Sequence, residues 1–163
     1  MPAATKIDIR RAAPEDAPAI AVVLQQSFAE FKALYTDGGF AATALSSECV
    51  LARMREGPVW VALRDGVVLG TVAAVVKAEL AYIRGMAVLP PARGSGTGGA
   101  LLQHVEDWAI SQGCARLALT TTPFLSSAIR LYEGFGFRRT NDGPQELFGT
   151  PIFTMKKDIF RAT

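Results

Sequence analysis

"LPPARGSGTGGALLQHVEDWAI", residues 89–110, sets Arg93 and a cluster of glycines (Gly94, Gly96, Gly98, Gly99) between two prolines and an apolar run. Glycine gives up more backbone freedom on folding than any other residue, so such a cluster marks a chain that must turn tightly or let a ligand come close. Behind it, Leu101, Leu102, Val105, Trp108 and Ala109 fall on one helical stripe, with Gln103, His104, Glu106 and Asp107 on the other side. The spacing predicts a helix over residues 98–112, stopped at Gly113. Ahead of the cluster, "LAYIRGMAVL" (residues 80–89) reads as a strand. The unit is therefore strand, glycine loop, helix. Backbone N–H groups gather there at a helix N-terminus, where unpaired donors and the helix dipole favour an anion, and Arg93 adds a fixed positive charge. The arrangement suits a pyrophosphate and supplies no metal ligand.

Gly94, Gly96 and Gly99 also satisfy the spacing G-x-G-x-x-G of dinucleotide-binding folds. Such folds need an acid at the end of the next strand to hold a ribose. That strand ends "LALTTTP" (residues 117–123), with no acid in reach. A nucleotide P-loop is excluded because no Lys-Ser/Thr follows the last glycine. A turn that merely joins strand to helix stays open as the plain alternative.

Working outward, "KIDIRRA" (residues 6–12) alternates like a strand, and Pro14 opens a helix carrying Ile20, Val23, Leu24, Ser27, Phe28 and Phe31 at helical spacing. Asp-Gly-Gly in "LYTDGGF" (residues 34–40) predicts a break, and a second helix follows over residues 46–56. "PVWVAL" and "VVLGTVAAVVK" are strands around Asp65-Gly66, a strong hairpin signal, and residues 77–79 are the next turn. "CARLALTT" is a strand, "SSAIRLYE" a short helix stopped by glycines, and "FGFRRT" and "LFGTPIFTMKKDI" two last strands. The expected order is β-α-α-β-β-β-α-β-α-β-β.

The 163 residues are half apolar and one-fifth charged, with a net charge of +2, which is a poor footprint for nucleic acid or an anionic membrane. The longest apolar run, "VVLGTVAAVV", is about half of what a membrane helix needs. "MPAATKIDIR" has no signal-like apolar core. Cys49 and Cys114 have no metal-site spacing, so a reduced, cytoplasmic protein without a metal is the expectation. A homodimer is left open.

From Tyr82 to Phe137 the sequence resembles the GNAT superfamily of N-acetyltransferases. "MAVLPPARGSGTGGALL" is similar to that family's acyl-CoA-binding motif and "AIRLYEGFGF" to its next motif, with a strand between them at the family's spacing. The N-terminal part matches only in pattern. The resemblance implies an α/β fold with a GNAT-type mixed, mostly antiparallel central sheet. That sheet would be splayed at the coenzyme A site and flanked by helices, in a single domain over residues 6–159. It implies acetyl-CoA as co-substrate, with the pyrophosphate on Arg93, Gly94, Ser95, Gly96, Thr97, Gly98 and Gly99. The pantetheine would pair strand-like with Met86, Ala87 and Val88. The family's common asparagine before the second helix is Leu125 here, so its contact would be lost or pass to Ser126 or Ser127. Gly134 also departs from the family's usual larger residue.

Acyl transfer to an amine needs a positioned thioester, donors for the tetrahedral oxyanion and a proton for the leaving thiolate. N–H groups where the strand loosens at residues 85–88 suit the oxyanion. Tyr132 matches the family's tyrosine facing the coenzyme sulfur and is the expected acid. The alternative is that Tyr132 is core packing beside Leu125 and Ala128. Glu79 is rejected as base, because at about 3.3 Å per residue it lies roughly 23 Å from a thioester at Met86. Tyr82 and Arg84 are expected on Met86's face of the strand, with deprotonation through water. His104 reads as a surface histidine. The acceptor would enter between the first helices and the last hairpin, where Phe28, Phe31, Tyr35, Phe148 and Phe153 stand. Phe31, Tyr35, Tyr82 and Arg84 are the substrate-site candidates. The expected acceptor is a small primary amine with an apolar portion, and a carboxylate if Arg84 faces the cleft. Peptide or protein amines are the alternative acceptor. A non-catalytic acyl-CoA-binding or sensor module is the alternative function, which the presence of Tyr132 disfavours.

Overall fold

The computed structural model describes residues 6–159; residues 1–5, part of the stretch read for a targeting signal, and 160–163 lie outside that range. Strand β1 (Asp8–Arg11) leads into a short 3-10 turn and helix α1 (Ala17–Phe28). Helices α2 (Asp37–Thr43) and α3 (Ser47–Glu56) follow, and then the meander β2 (Val59–Arg64), β3 (Val67–Lys77) and β4 (Leu80–Val88). After the glycine loop come α4 (Thr97–Ser111), β5 (Arg116–Thr121), α5 (Ser126–Gly134), β6 (Arg138–Arg139), β7 (Gln145–Leu147) and β8 (Thr150–Asp158). The sheet runs β1-β2-β3-β4-β5-β8-β6, with β7 paired to β8, and among the described residues only β4–β5 is parallel. It is a mixed α/β fold with an open, mostly antiparallel sheet flanked by helices. Among the described residues, no helix is long and apolar enough to cross a membrane.

Alternation along β2 builds both faces. Trp60 and Ala62 pack with Val72, Leu117 and the α4 residues Leu101, Leu102 and Val105. Val59 and Val61 point the other way, onto Ile20, Val23 and Leu24 of α1 and Val50 of α3. Fully burying each such side chain contributes about 1.5–3 kcal/mol. Asp65 and Gly66, with φ of 52° and 78°, form the expected tight hairpin between β2 and β3.

Two features of β4 position the site. It pairs with β5 only over Leu80–Tyr82 against Arg116–Ala118, and beyond that the two strands separate. The register against β3 also shifts, with Ala73 facing Arg84 but Thr71 facing Ala87. Gly85 and Met86 thus oppose Val72 alone, which is a β-bulge with Gly85 at φ 61°. The extra residue resets the alternation. Met86 and Val88 join Ala81 and Ile83 on the α4 side, so Met86 does not share a face with Tyr82 and Arg84 as simple period-two counting predicts.

Three other expectations are corrected. The "TDGGF" break holds α2, because the Thr36 side chain caps it by accepting from the Gly39 N–H at 3.0 Å. Thr36 also donates to the Phe148 carbonyl at 2.7 Å, tying α2 to the last hairpin. The expected final strand is a hairpin, β7–β8, turning through Phe148 and Gly149 at φ 48° and 90°. The outer side of α4 is not simply solvated. Glu106 is buried and pairs with Lys157 of β8 at 2.5 Å, and His104 packs edge-on against Trp60.

Candidate active site

The separation of β4 from β5 opens a cavity of about 640 Å³. Its wall includes Met86, Ala87 and Val88 from β4, Gly94, Gly96, Gly98 and Gly99 with Arg93 from the loop, and Ser127 and Tyr132 from α5. Phe31, Tyr35, Tyr82 and Arg84 also line it, so one cavity joins the coenzyme and acceptor candidates. Ser95, Thr97 and Ser126 do not line it. The Ser95 hydroxyl donates to the Ala92 carbonyl at 2.5 Å and lies 3.0 Å from Thr97 Oγ1, so these two side chains brace the loop from behind.

The glycines have different physical reasons. Gly94 and Gly96 take φ of 79° and 86°, and Gly96 is the N-cap of α4. A side chain at Gly94, Gly96 or Gly99 would meet nothing within 4 Å, so this surface is open to a ligand. A Cβ at Gly98 would stand 2.8 Å from Leu131 Cδ2, so that glycine lets α5 close on α4. Among the described residues, the N–H groups of Gly96, Thr97, Gly98 and Gly99 donate to no acceptor. Arg93 is not free beside them. Its guanidinium donates to Glu30 Oε1 at 2.5 Å and to the Ser27 carbonyl at 2.8 Å, and Nε reaches the Val88 carbonyl at 3.4 Å. Arg93 therefore latches the end of β4 to the end of α1.

Tyr132 is buried, with its ring edge-on to Phe137 at 5.9 Å and its hydroxyl without a protein partner among the described residues. Burial, with a smaller effect from Tyr35, pushes this phenol up to about 12. It is therefore fully protonated at neutral pH, which suits an acid and excludes a resident base. Burial also raises the Tyr35 phenol, partly offset by the nearby hydroxyls of Thr122 and Thr43. The Thr122 hydroxyl is itself buried in the cavity wall, with no partner in hydrogen-bond geometry among the described residues. The only carboxylate in the wall, among the described residues, is Glu30, already held by Arg93.

Two of the aromatic acceptor candidates are misplaced by the sequence. Phe148 sits 72% exposed at the hairpin tip, with a left-handed backbone, and does not line the cavity. Phe153 is buried in the core beneath Arg139. Phe28, Phe31 and Tyr35 do line the cavity, joined by Leu147 and Ile152. Arg53, Thr43 and Thr122 are wall residues that sequence reasoning did not find. Arg53 lies on a helix of mixed polarity, and nothing local distinguishes it from the exposed Arg55.

Residues 22–137 match the family model described as Acetyltransferase (GNAT) family. The chain belongs to the GNAT family of acetyltransferases. It is 33% identical over 134 residues to the uncharacterized N-acetyltransferase YjgM of Escherichia coli (strain K12), covering 79% of this chain and 80% of that one. Among solved structures, the PaiA N-acetyltransferase from Thermoplasma acidophilum in complex with coenzyme A superposes with a TM-score of 0.81 at 19% identity, over 94% of this chain and 99% of that one. YncA from Salmonella typhimurium, a putative acetyltransferase with its cofactor acetyl-CoA, gives 0.75 at 22% identity over 98% and 97%. In this GNAT chain the family match begins in α1 and ends at Phe137, so it spans the glycine loop, β5 and α5.

Proposed function

We propose that this chain transfers the acetyl group of acetyl-CoA to the primary amine of a small molecule with an apolar portion. The observation that carries the reading is the single cavity. It connects an unpaired run of N–H groups at the N-terminus of α4, the free edge of β4 and the buried phenol of Tyr132. The pyrophosphate of coenzyme A would sit on Gly94, Gly96 and Gly99, where backbone donors and the helix dipole face open space. The pantetheine would run along β4 beside Met86, Ala87 and the N–H of Val88, whose carbonyl is already taken by Ser27 Oγ at 3.0 Å. Ser127, which accepts from Arg130 at 3.2 Å, replaces the asparagine contact that Leu125 cannot make.

The amine nitrogen attacks the thioester carbon, and the oxyanion takes its hydrogen bonds from the bulged backbone at residues 85–88. The carbon–sulfur bond then breaks, and the coenzyme thiolate takes the Tyr132 proton. The ammonium proton leaves through water, since no carboxylate of the wall is unpaired among the described residues, and water reprotonates Tyr132. Phe31, Leu147 and Ile152 receive the apolar portion of the acceptor.

Thiol release from acetyl-CoA, followed with amino acids, polyamines, aminoglycosides, arylamines and short peptides, tests the reading. Small amines with an apolar part should be the best acceptors. Preference for polyamines or aminoglycosides would refute the acceptor assignment and leave the coenzyme site standing. Absence of thiol release with every amine, in a protein that binds acetyl-CoA, would refute catalysis.

A further inference from the structure

Arg53 projects from the last turn of α3 into the cavity wall. Among the described residues it has no hydrogen bond and no ion pair, although every other cavity-lining arginine has one. Its Nη1 occupies the space that a side chain at Gly85 would need, so the bulge of β4 makes room for it. Beside it, Arg84 donates through Nη2 to Glu56 Oε2 at 2.6 Å, while its Nε is buried without a partner. Glu56 is 56% exposed and lies outside the cavity wall. Two guanidinium groups and one peripheral carboxylate leave a net positive charge at this end. Arg53 is half-buried, and once a bound acceptor covers the cavity such a charge is costly unless an anion meets it. Burial and the repulsion of Arg84 together hold the Arg53 guanidinium below its ordinary value, against the smaller opposing pull of Glu56.

We infer that Arg53, supported by the unpartnered Nε of Arg84, binds the carboxylate of the acceptor. The substrate class then narrows to small amines that carry an acid group and an apolar part. The fork of the guanidinium suits a carboxylate in two parallel hydrogen bonds. Arg93 does not compete for it, because it is committed to Glu30 and Ser27. Arg84 alone, the candidate that the sequence offers, is already paired with Glu56. The inference rests on the acetyl-transfer reading for the amine's role and on the cavity alone for the anion's.

The test pairs each acid with its neutral amide, namely L-phenylalanine with L-phenylalaninamide, L-methionine with L-methioninamide, and β-alanine with β-alaninamide. Each pair is measured by thiol release and by calorimetric titration of the protein saturated with coenzyme A. The wild type should favour at least one acid over its amide by ten-fold or more in kcat/KM, through KM. Arg53→Gln should bring that ratio close to one, Arg53→Lys should keep part of it, and acetyl-CoA affinity should stay within two-fold in both. Acid binding that Arg53→Gln abolishes, with no thiol release in any variant, would uphold the anion site and refute acetyl transfer. The anion site is overturned by a preference that survives in Arg53→Gln or by equal loss for acids and amides. Weakened acetyl-CoA binding in the variant, or no preference for any acid in the wild type by either readout, overturns it as well.

Discussion

Tyr132→Phe removes one oxygen and leaves the rest of the side chain in place. The ring keeps its burial and its edge contact with Phe137 at 5.9 Å. The hydroxyl makes no hydrogen bond to the protein among the described residues, so its loss forfeits none of the roughly 1 kcal/mol that a made hydrogen bond contributes. Stability near neutral pH should therefore be unchanged. Catalysis should not be, because a positioned acid is worth about 10²–10⁴ in rate. A fall in kcat of at least about ten-fold is expected, which is about 1.4 kcal/mol in the barrier. Acetyl-CoA affinity should be intact, the pattern of an interaction made in the transition state. The same oxygen also predicts an alkaline effect. The phenol stands at about 12 in the fold against an ordinary 10.0. Below pH 10 both states hold the proton, while between 10 and 12 the unfolded chain loses it and the folded chain does not. Wild-type stability should therefore fall through that window by an amount absent from the Phe variant. Saturating thiol-release kinetics, single-turnover acetylation, calorimetry and urea denaturation at pH 8 and 11 measure all of these. Unchanged single-turnover rates would show that Tyr132 only packs, and a stability loss of about 1 kcal/mol at pH 8 would show that its hydroxyl is structural.

At Gly96, with φ 86° and open space around it, Asn tolerates the backbone that Asp also adopts but adds no charge. Calorimetry should show Gly96→Asn binding acetyl-CoA within about ten-fold of wild type and Gly96→Asp losing binding altogether; equal affinities would remove the anion from this loop. Gly85→Ala, at φ 61° and against Arg53, should cost about 1–2 kcal/mol in urea denaturation. It should also lower kcat for acids and amides alike, whereas Arg53→Gln should change KM for acids only.

The part of the site that lies in one stretch of chain was legible, and the part assembled from several was not. The α4 stripe, the glycine spacing and the Tyr132 segment each encode their structure within about a dozen residues, because helix period and left-handed turns are local physics. The Asp-Gly-Gly stretch misled because the deciding group was a Thr36 hydroxyl that caps a helix and reaches across to Phe148. The final strand misled because a phenylalanine takes φ 48°, a conformation that sequence rules assign to glycine or asparagine. A lone glycine inside a strand pattern hints at a bulge without saying which way the alternation resets. At Gly85 that single residue shapes the cavity wall. It turns Met86 toward the α4 core while Arg84 keeps the opposite face. It loosens the backbone donors where the oxyanion would form, and it vacates the volume that Arg53 fills. On the proposed reading, the positioning of the thioester and the recognition of the acceptor's anion therefore both depend on one missing side chain, and Gly85→Ala is the single substitution expected to disturb both.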